Sequence, residues 1–168
     1  MFQRAVIIPS HILSHYSNLK LIQAFEARGL DFGWGRWRLW WNMRTLQSLA
    51  KSYNLGALSS EQFYTQVMNC FPHTSMSQEL FFEAWNSAVS LSSEQIKVIE
   101  ELVSYAKQHH IHLSITANSN EAHINTLLRF LPENLQAFFK SYGVFSYEQK
   151  TLDTANTAID KAIDLVGK

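Results

Sequence analysis

Hydrophobic residues follow two different spacings in the first half of the chain, and these predict a short strand followed by a long helical stretch. Residues 4–8 are rich in β-branched side chains and precede Pro9, which is typical of a buried strand with a sharp end. Between residues 15 and 85, apolar positions recur every three or four residues, which indicates amphipathic helices. Ser59 and Gln62 form a capping-box pattern at the start of one of these helices.

The second half of the chain alternates helices with short strands. Its predicted elements are a helix from Ser92 to about residue 108, a strand over 111–116, a helix over 121–130, a short helix and brief strand within 138–145, and a final helix over 152–165. Pro132 is expected to end the helix over 121–130. The order of elements predicts an α/β fold with a helical insertion after the first strand.

Composition limits the class of protein. The 168 residues match about one domain, and 46% hydrophobic against 17% charged residues predicts a packed core rather than disorder. The 14 basic and 14 acidic residues balance, so nucleic acid is a poor default partner. The lone Cys70 favours a reducing compartment, and the apolar run near the N-terminus is too short for a signal peptide or a membrane span. We therefore expect a cytoplasmic protein with no membrane partner, with secretion by a signal-less route left open.

Residues 113–123 hold the most informative pattern of the chain. They read Leu-Ser-Ile-Thr-Ala-Asn-Ser-Asn-Glu-Ala-His, an apolar strand that enters a polar turn and then a helix. Residues 56–63 read Gly-Ala-Leu-Ser-Ser-Glu-Gln-Phe, and residues 82–86 read Phe-Glu-Ala-Trp-Asn. A Ser-Tyr-Glu sequence follows the last predicted strand, at residues 146–148.

In this order and spacing, the four segments resemble those of haloacid-dehalogenase-like (HAD) hydrolases that carry a helical cap, of the epoxide-hydrolase-N-terminal and sugar-phosphatase type. The resemblance implies a truncated HAD-like Rossmannoid core with a short parallel sheet and an inserted helical cap. Residues 1–14 and 87–168 would form the α/β core, and residues 15–86 the cap. It also implies that residues 5–8 form an unpaired apolar edge, because the chain ends where the family's fourth strand would begin.

The chemistry implied by the resemblance needs an aspartate nucleophile and a second acid after the first strand, a hydroxyl after the second, a lysine, and an acidic pair for Mg²⁺. Pro9, Ser10 and His11 follow the first strand here, so neither carboxylate is present. Ala117 stands in the place of the hydroxyl, although a shift by one residue would offer Thr116. Lys150 is the nearest candidate for the lysine.

These departures favour a catalytically inactive HAD-like protein that acts as a protein-binding or scaffolding module, such as an effector or an accessory subunit. An alternative is a residual phosphatase that uses Thr116, Asn118, Lys150 and a rearranged acid such as Asp153, and only this alternative would require Mg²⁺. A further alternative is a phosphate or small-ligand binder that uses the same pocket. No cofactor and no metal site are otherwise expected.

A tryptophan- and arginine-rich segment supports the binding interpretation. Tryptophan and arginine are enriched at protein interfaces, although a helical core is the plainer explanation for the aromatic residues. A protein partner or a second copy of the chain is therefore expected to contact the following residues: Trp34, Trp37, Arg38, Trp40, Trp41 and Arg44.

Three nearby histidines, His109, His110 and His112, superficially suggest a metal site. They span a predicted helix end and strand start, with no cysteine or paired carboxylate nearby to complete a ligand set. Histidine at a helix C-terminus needs no metal, because it complements the helix dipole. We therefore predict no metal ligands among them.

Overall fold

The computed structural model describes the backbone of residues 4–10, 14–30 and 36–166, and the side chains of the same residues except 36–43 and 166. The strands are β1 Arg4–Pro9, β2 His15–Tyr16, β3 Val89–Ser90, β4 Ile111–Ala117 and β5 Gly143–Phe145. The helices are α1 Asn18–Glu26, α2 Arg36–Asn54, α3 Ser60–Asn69, α4 Gln78–Asn86, α5 Ser93–Gln108, α6 Glu121–Arg129, α7 Glu133–Tyr142, α8 Ser146–Gln149 and α9 Thr154–Val166.

Three of the strands form a parallel sheet in the order β1-β4-β5, which confirms the predicted α/β fold class. β4 lies in the middle and is buried from His112 to Ala117, whereas β1 lies at an edge of the sheet described here. β2 and β3 pair antiparallel where the chain enters and leaves the helical stretch. This ribbon ties the two ends of the helical stretch together.

Side-chain caps set where most of the helices begin. Ser59 and Ser92 each accept a hydrogen bond from the backbone N–H three residues on, and the glutamine there accepts one from the serine backbone N–H, so both capping boxes are present. α7 begins at Glu133, five residues earlier than the pattern predicted. The reason is that Pro132 lies just ahead of the first turn, where a missing N–H costs nothing, so it starts this helix as well as ending the previous one.

The buried apolar residues form two clusters. One lies within the helical stretch between Leu21 and Ala88, and aromatic rings dominate it: Phe63 stacks on Tyr53 and contacts Trp85 edge-on. The other joins β4 to α5, α6 and α7. The division into a core (1–14 and 87–168) and a cap (15–86) stays a prediction. None of the described helices is long and apolar enough to cross a membrane.

The loop after α2 approaches the α/β layer very closely at Gly56. Its φ of +64° lies in the left-handed region, and a Cβ built there would collide with the backbone carbonyl oxygen of Tyr147. Glycine is therefore required twice over, by the backbone conformation and by the space available. Gly29 has a comparable φ of +84°, but nothing lies within 4 Å of its Cβ position.

We expect Gly56→Ala to lower the free energy of unfolding by clearly more than Gly29→Ala. Both substitutions strain a left-handed backbone, at a cost of about 1 kcal/mol. Only the first also forces the helical stretch away from Tyr147. Urea unfolding of the two variants measures the difference, and equal losses would show that this close approach is not needed for stability.

Candidate functional site

A cleft of about 550 Å³ lies between the helical stretch and the carboxyl ends of β1 and β4. Ser10 and Asn118, the residues that directly follow these two strands, both line it. Crevices at the carboxyl ends of parallel strands are where α/β proteins bind ligands, because loops and helix N-termini converge there. This cleft is therefore the candidate site.

The polar groups of the cleft are hydroxyls, amides and imidazoles. The hydroxyls belong to Ser10, Ser14, Tyr16 and Ser119. The amides belong to Asn54, Asn118 and Asn120, and the imidazoles to His15 and His123. No aspartate, glutamate, lysine or arginine is found among the described residues of its lining.

Asn120 organises the floor of the cleft. Its side chain is 1% exposed and caps α6, accepting the His123 backbone N–H at 3.0 Å and the Trp85 indole N–H at 3.4 Å on Oδ1. Its Nδ2 donates to Asn54 Oδ1 at 2.9 Å and to His123 Nδ1 at 3.2 Å. One buried amide thus joins α2, α4 and α6 with every donor and acceptor used.

These contacts determine which nitrogen of the His123 imidazole carries the proton. Because the Asn120 amide nitrogen only donates, Nδ1 of the imidazole must accept, and the proton lies on Nε2. Nε2 then donates to the Trp85 carbonyl oxygen at 3.1 Å. Burial lowers the pKa of His123 to about 4, although the bond to Trp85 opposes the shift. The imidazole is therefore neutral at pH 7, with the Trp85 indole stacked on it at 5.0 Å.

Ser146 holds the turn after β4 from the other side. This fully buried hydroxyl accepts the Ser119 backbone N–H at 2.9 Å and donates to the Asn54 carbonyl oxygen at 2.6 Å. Side chains therefore consume two backbone N–H groups at this turn and helix start, those of Ser119 and His123. Fewer amides remain there for an anion than the motif alone would suggest.

The structure separates the four residues considered for residual catalysis. Asn118 lines the cleft, and its Oδ1 accepts a hydrogen bond from Thr154 at 3.0 Å. Thr116 is buried in β4, and strand alternation turns it to the opposite side of the sheet from Ala117. Lys150 and Asp153 are exposed, and neither lines the cleft.

Most of the tryptophan- and arginine-rich segment lies outside the described side chains. This applies to Trp34, Trp37, Arg38, Trp40 and Trp41. Arg44 is described and exposed. The predicted partner surface therefore stays a prediction.

Sequence reasoning did not identify several cleft residues. Asn54 lies at the end of α2, 66 positions before its partner Asn120, and no local pattern connects them. Tyr16 and Trp85 also line the cleft, although they belong to separate elements. Ser10 carried a usable signal, because it lies two residues after the end of a predicted strand.

No family model and no curated protein matches the sequence. The fold is similar to that of a HAD family enzyme from Bacteroides thetaiotaomicron, with a TM-score of 0.75 and 13% identity over 99% of this chain and 79% of that one. The same enzyme in complex with magnesium and inorganic phosphate gives 0.73 and 14%, over 98% and 79%. A predicted HAD-like family hydrolase from Porphyromonas gingivalis gives 0.70 and 18%, over 100% and 78%. The chain therefore has a HAD-like fold.

The residues of this cleft do not fit a magnesium ion. Mg²⁺ is usually held through one or two carboxylates, and the described lining offers only neutral oxygens, such as Ser10 Oγ and the Asn118 amide. Nowhere in the described part of the chain do three histidine, cysteine or acidic side chains cluster as metal ligands would. The donor set suits hydrogen bonding to a ligand instead.

The stability of the protein should fall on acidification through His123. An unfolded histidine binds a proton below about pH 6.5, but the folded one binds it only near pH 4. The contribution of His123 to the free energy of unfolding is therefore fully present above pH 6.5. It is lost between pH 6.5 and 4, which lowers the free energy of unfolding by about 3 kcal/mol. Protonation would also turn the Nδ1 acceptor into a donor facing the Asn120 amide.

Denaturant unfolding from pH 7 to pH 4 tests this expectation. His123→Gln should be less stable than the wild type at pH 7 but lose less stability on acidification. The exposed-site control His73→Gln should follow the wild type. Parallel curves for the wild type and His123→Gln would show that the buried imidazole does not control the pH dependence.

Proposed function

We propose that the chain is a catalytically silent HAD-like protein that binds a small uncharged polar ligand in the cleft. The observation that carries the proposal is the neutral lining, with hydroxyl, amide and imidazole groups and no charged side chain among the described residues. The volume of about 550 Å³ falls within the usual range for small-molecule sites. Several convergent polar groups on a fixed frame are what such sites use to orient a ligand.

Electrostatics argues for an uncharged ligand. A phosphate group that enters the cleft would lose its hydration, and no described cationic side chain or carboxylate-bound metal would compensate. His123 contributes no positive charge, because burial keeps it neutral at pH 7. An uncharged ligand avoids this cost and can still exchange hydrogen bonds with the cleft.

Three groups at the rim are available to a ligand. Asn118 Nδ2 and the hydroxyls of Ser10 and Tyr16 have no recorded hydrogen-bond partner within the described part of the chain. The deeper groups, by contrast, hold one another in place. The cleft thus combines a rigid floor with a rim that can both donate and accept.

A second candidate function is a hydrolase with a rearranged site, and the enzyme neighbours in the structural comparison favour it. This candidate needs an acid and a phosphate-binding group at the cleft. Of the proposed residues, only Asn118 lines it. The overall fold therefore supports the hydrolase candidate better than the residues of the cleft do.

The scaffolding interpretation remains a prediction from the sequence. It rests on the tryptophan- and arginine-rich segment rather than on the cleft, and the two functions are compatible. A protein partner could contact that segment while the cleft holds a ligand.

We expect uncharged polar compounds to raise the melting temperature, and inorganic phosphate to leave it unchanged. Suitable probes are glycerol, inositol, glucose and acetamide, measured by thermal unfolding. A ligand at a hundred times its dissociation constant stabilises by about 2.7 kcal/mol. Asn118→Ala should reduce the response, and Asn156→Ala, an exposed asparagine on α9, should not. Stabilisation by phosphate alone would contradict the uncharged class.

We expect no turnover of p-nitrophenyl phosphate with Mg²⁺, even at high protein concentration. No aspartyl-phosphate can form where Pro9, Ser10 and His11 follow the first strand. Turnover that is lost on chelation and lost again in Asp153→Asn would establish the hydrolase candidate instead. The matched control Asp160→Asn, on an exposed face of α9, should have no effect in either case.

A further inference from the structure

A second, smaller cavity opens beside the cleft and shares part of its wall. Both are lined by Ser10, Ser14, Ile124 and Leu127. The smaller cavity, here called the recess, has a volume of about 20 Å³ and an entirely apolar accessible surface. A neutral polar cleft and an apolar cavity therefore lie side by side and share a wall.

Ala117 and Ile115 form the β4 side of the recess. They are two residues apart and therefore point to the same side of the sheet. The sequence resemblance puts a hydroxyl at Ala117, and the chain has a methyl group there instead. The neighbouring Thr116 cannot supply the hydroxyl, because alternation turns it to the other side.

Ser10 and Ser14, which line both cavities, do not make the recess polar. The Ser14 hydroxyl donates to the Ser10 carbonyl oxygen at 3.0 Å, so it bonds to its own backbone turn. A volume of about 20 Å³ admits one water-sized group, since about 10–15 Å³ is the minimum. A water molecule there would lack the two to four polar partners that it needs, whereas a methyl group needs none.

We propose that the ligand of the cleft is a small uncharged amphiphile whose short alkyl end, of one or two carbons, enters the recess beside Ala117. This inference rests on the proposed function, because the polar part of the same ligand would occupy the cleft. It narrows the ligand class to compounds that carry a terminal methyl or ethyl group on an uncharged hydrogen-bonding body. Purely polar compounds would fill the cleft and leave the recess empty.

The n-alcohols from methanol to hexanol are suitable probes, because each joins one hydroxyl to an alkyl chain of defined length. Binding can be followed through the NMR methyl resonances of Ala117 and Ile115. Each methylene that enters an apolar site should raise affinity about fourfold. We expect that rise from methanol to ethanol, and then a plateau when the recess is full.

Two variants change the size of the recess in opposite directions. Ala117→Val fills it, and should remove the shift of the Ile115 methyl resonance and flatten the alcohol series. Leu128→Ala, from another wall, enlarges it and should move the plateau to a longer alcohol. Circular dichroism and melting curves identify variants that no longer fold, and either variant alone is sufficient for the test.

The outcomes separate this inference from the proposed function. If glycerol or glucose binds the cleft but the alcohol series is flat in the wild type, the amphiphile inference is wrong and the proposed function stands. If the alcohols shift Ala117 and Ile115 with the expected plateau while no polar probe binds, the apolar site is real and the proposed polar binding is wrong. An alcohol series that is unchanged in both variants would also overturn the inference.

Discussion

The buried amide of Asn120 is the contact on which the rest of the site depends. It caps α6 and at the same time bonds to side chains on α2 and α6 and to the indole of Trp85 on α4. A buried polar group with all its partners holds its neighbours firmly, because any movement leaves a donor or an acceptor unpaired. Ser146 and the close approach at Gly56 add two further ties between the same regions. The cleft therefore has a floor that is defined before any ligand arrives.

The same hydrogen-bond network explains why the floor of the cleft is rigid but carries no charge. Burial keeps the His123 imidazole neutral, Asn120 donates to its Nδ1, and its one N–H donates to the Trp85 carbonyl oxygen. Two of the backbone N–H groups that could face an anion, those of Ser119 and His123, donate instead to Ser146 and Asn120. Polar side chains are thus abundant in the cleft, but the buried ones form hydrogen bonds with one another. In the proposed function, recognition of the ligand would fall to the rim and to the apolar recess beside Ala117.

The relation of this chain to its structural neighbours is one of fold. The HAD-like fold places loops at the carboxyl ends of β1 and β4, whatever residues those loops contain. Here Pro9 and Ala117 end the two strands and Ser10 follows the first, so none of these positions carries a carboxylate. Similarity of fold at 13–18% identity therefore leaves the function to local chemistry.

The sequence by itself determined the fold class, the order of the elements and the capping boxes at Ser59 and Ser92, because periodicity and caps are local properties. It also identified the turn at residues 117–120. Only the tertiary structure decided that Asn54 meets Asn120 and that an apolar recess adjoins the cleft. The physical reason is distance along the chain: these features arise between residues tens of positions apart, and no local pattern records which distant surfaces will pack together.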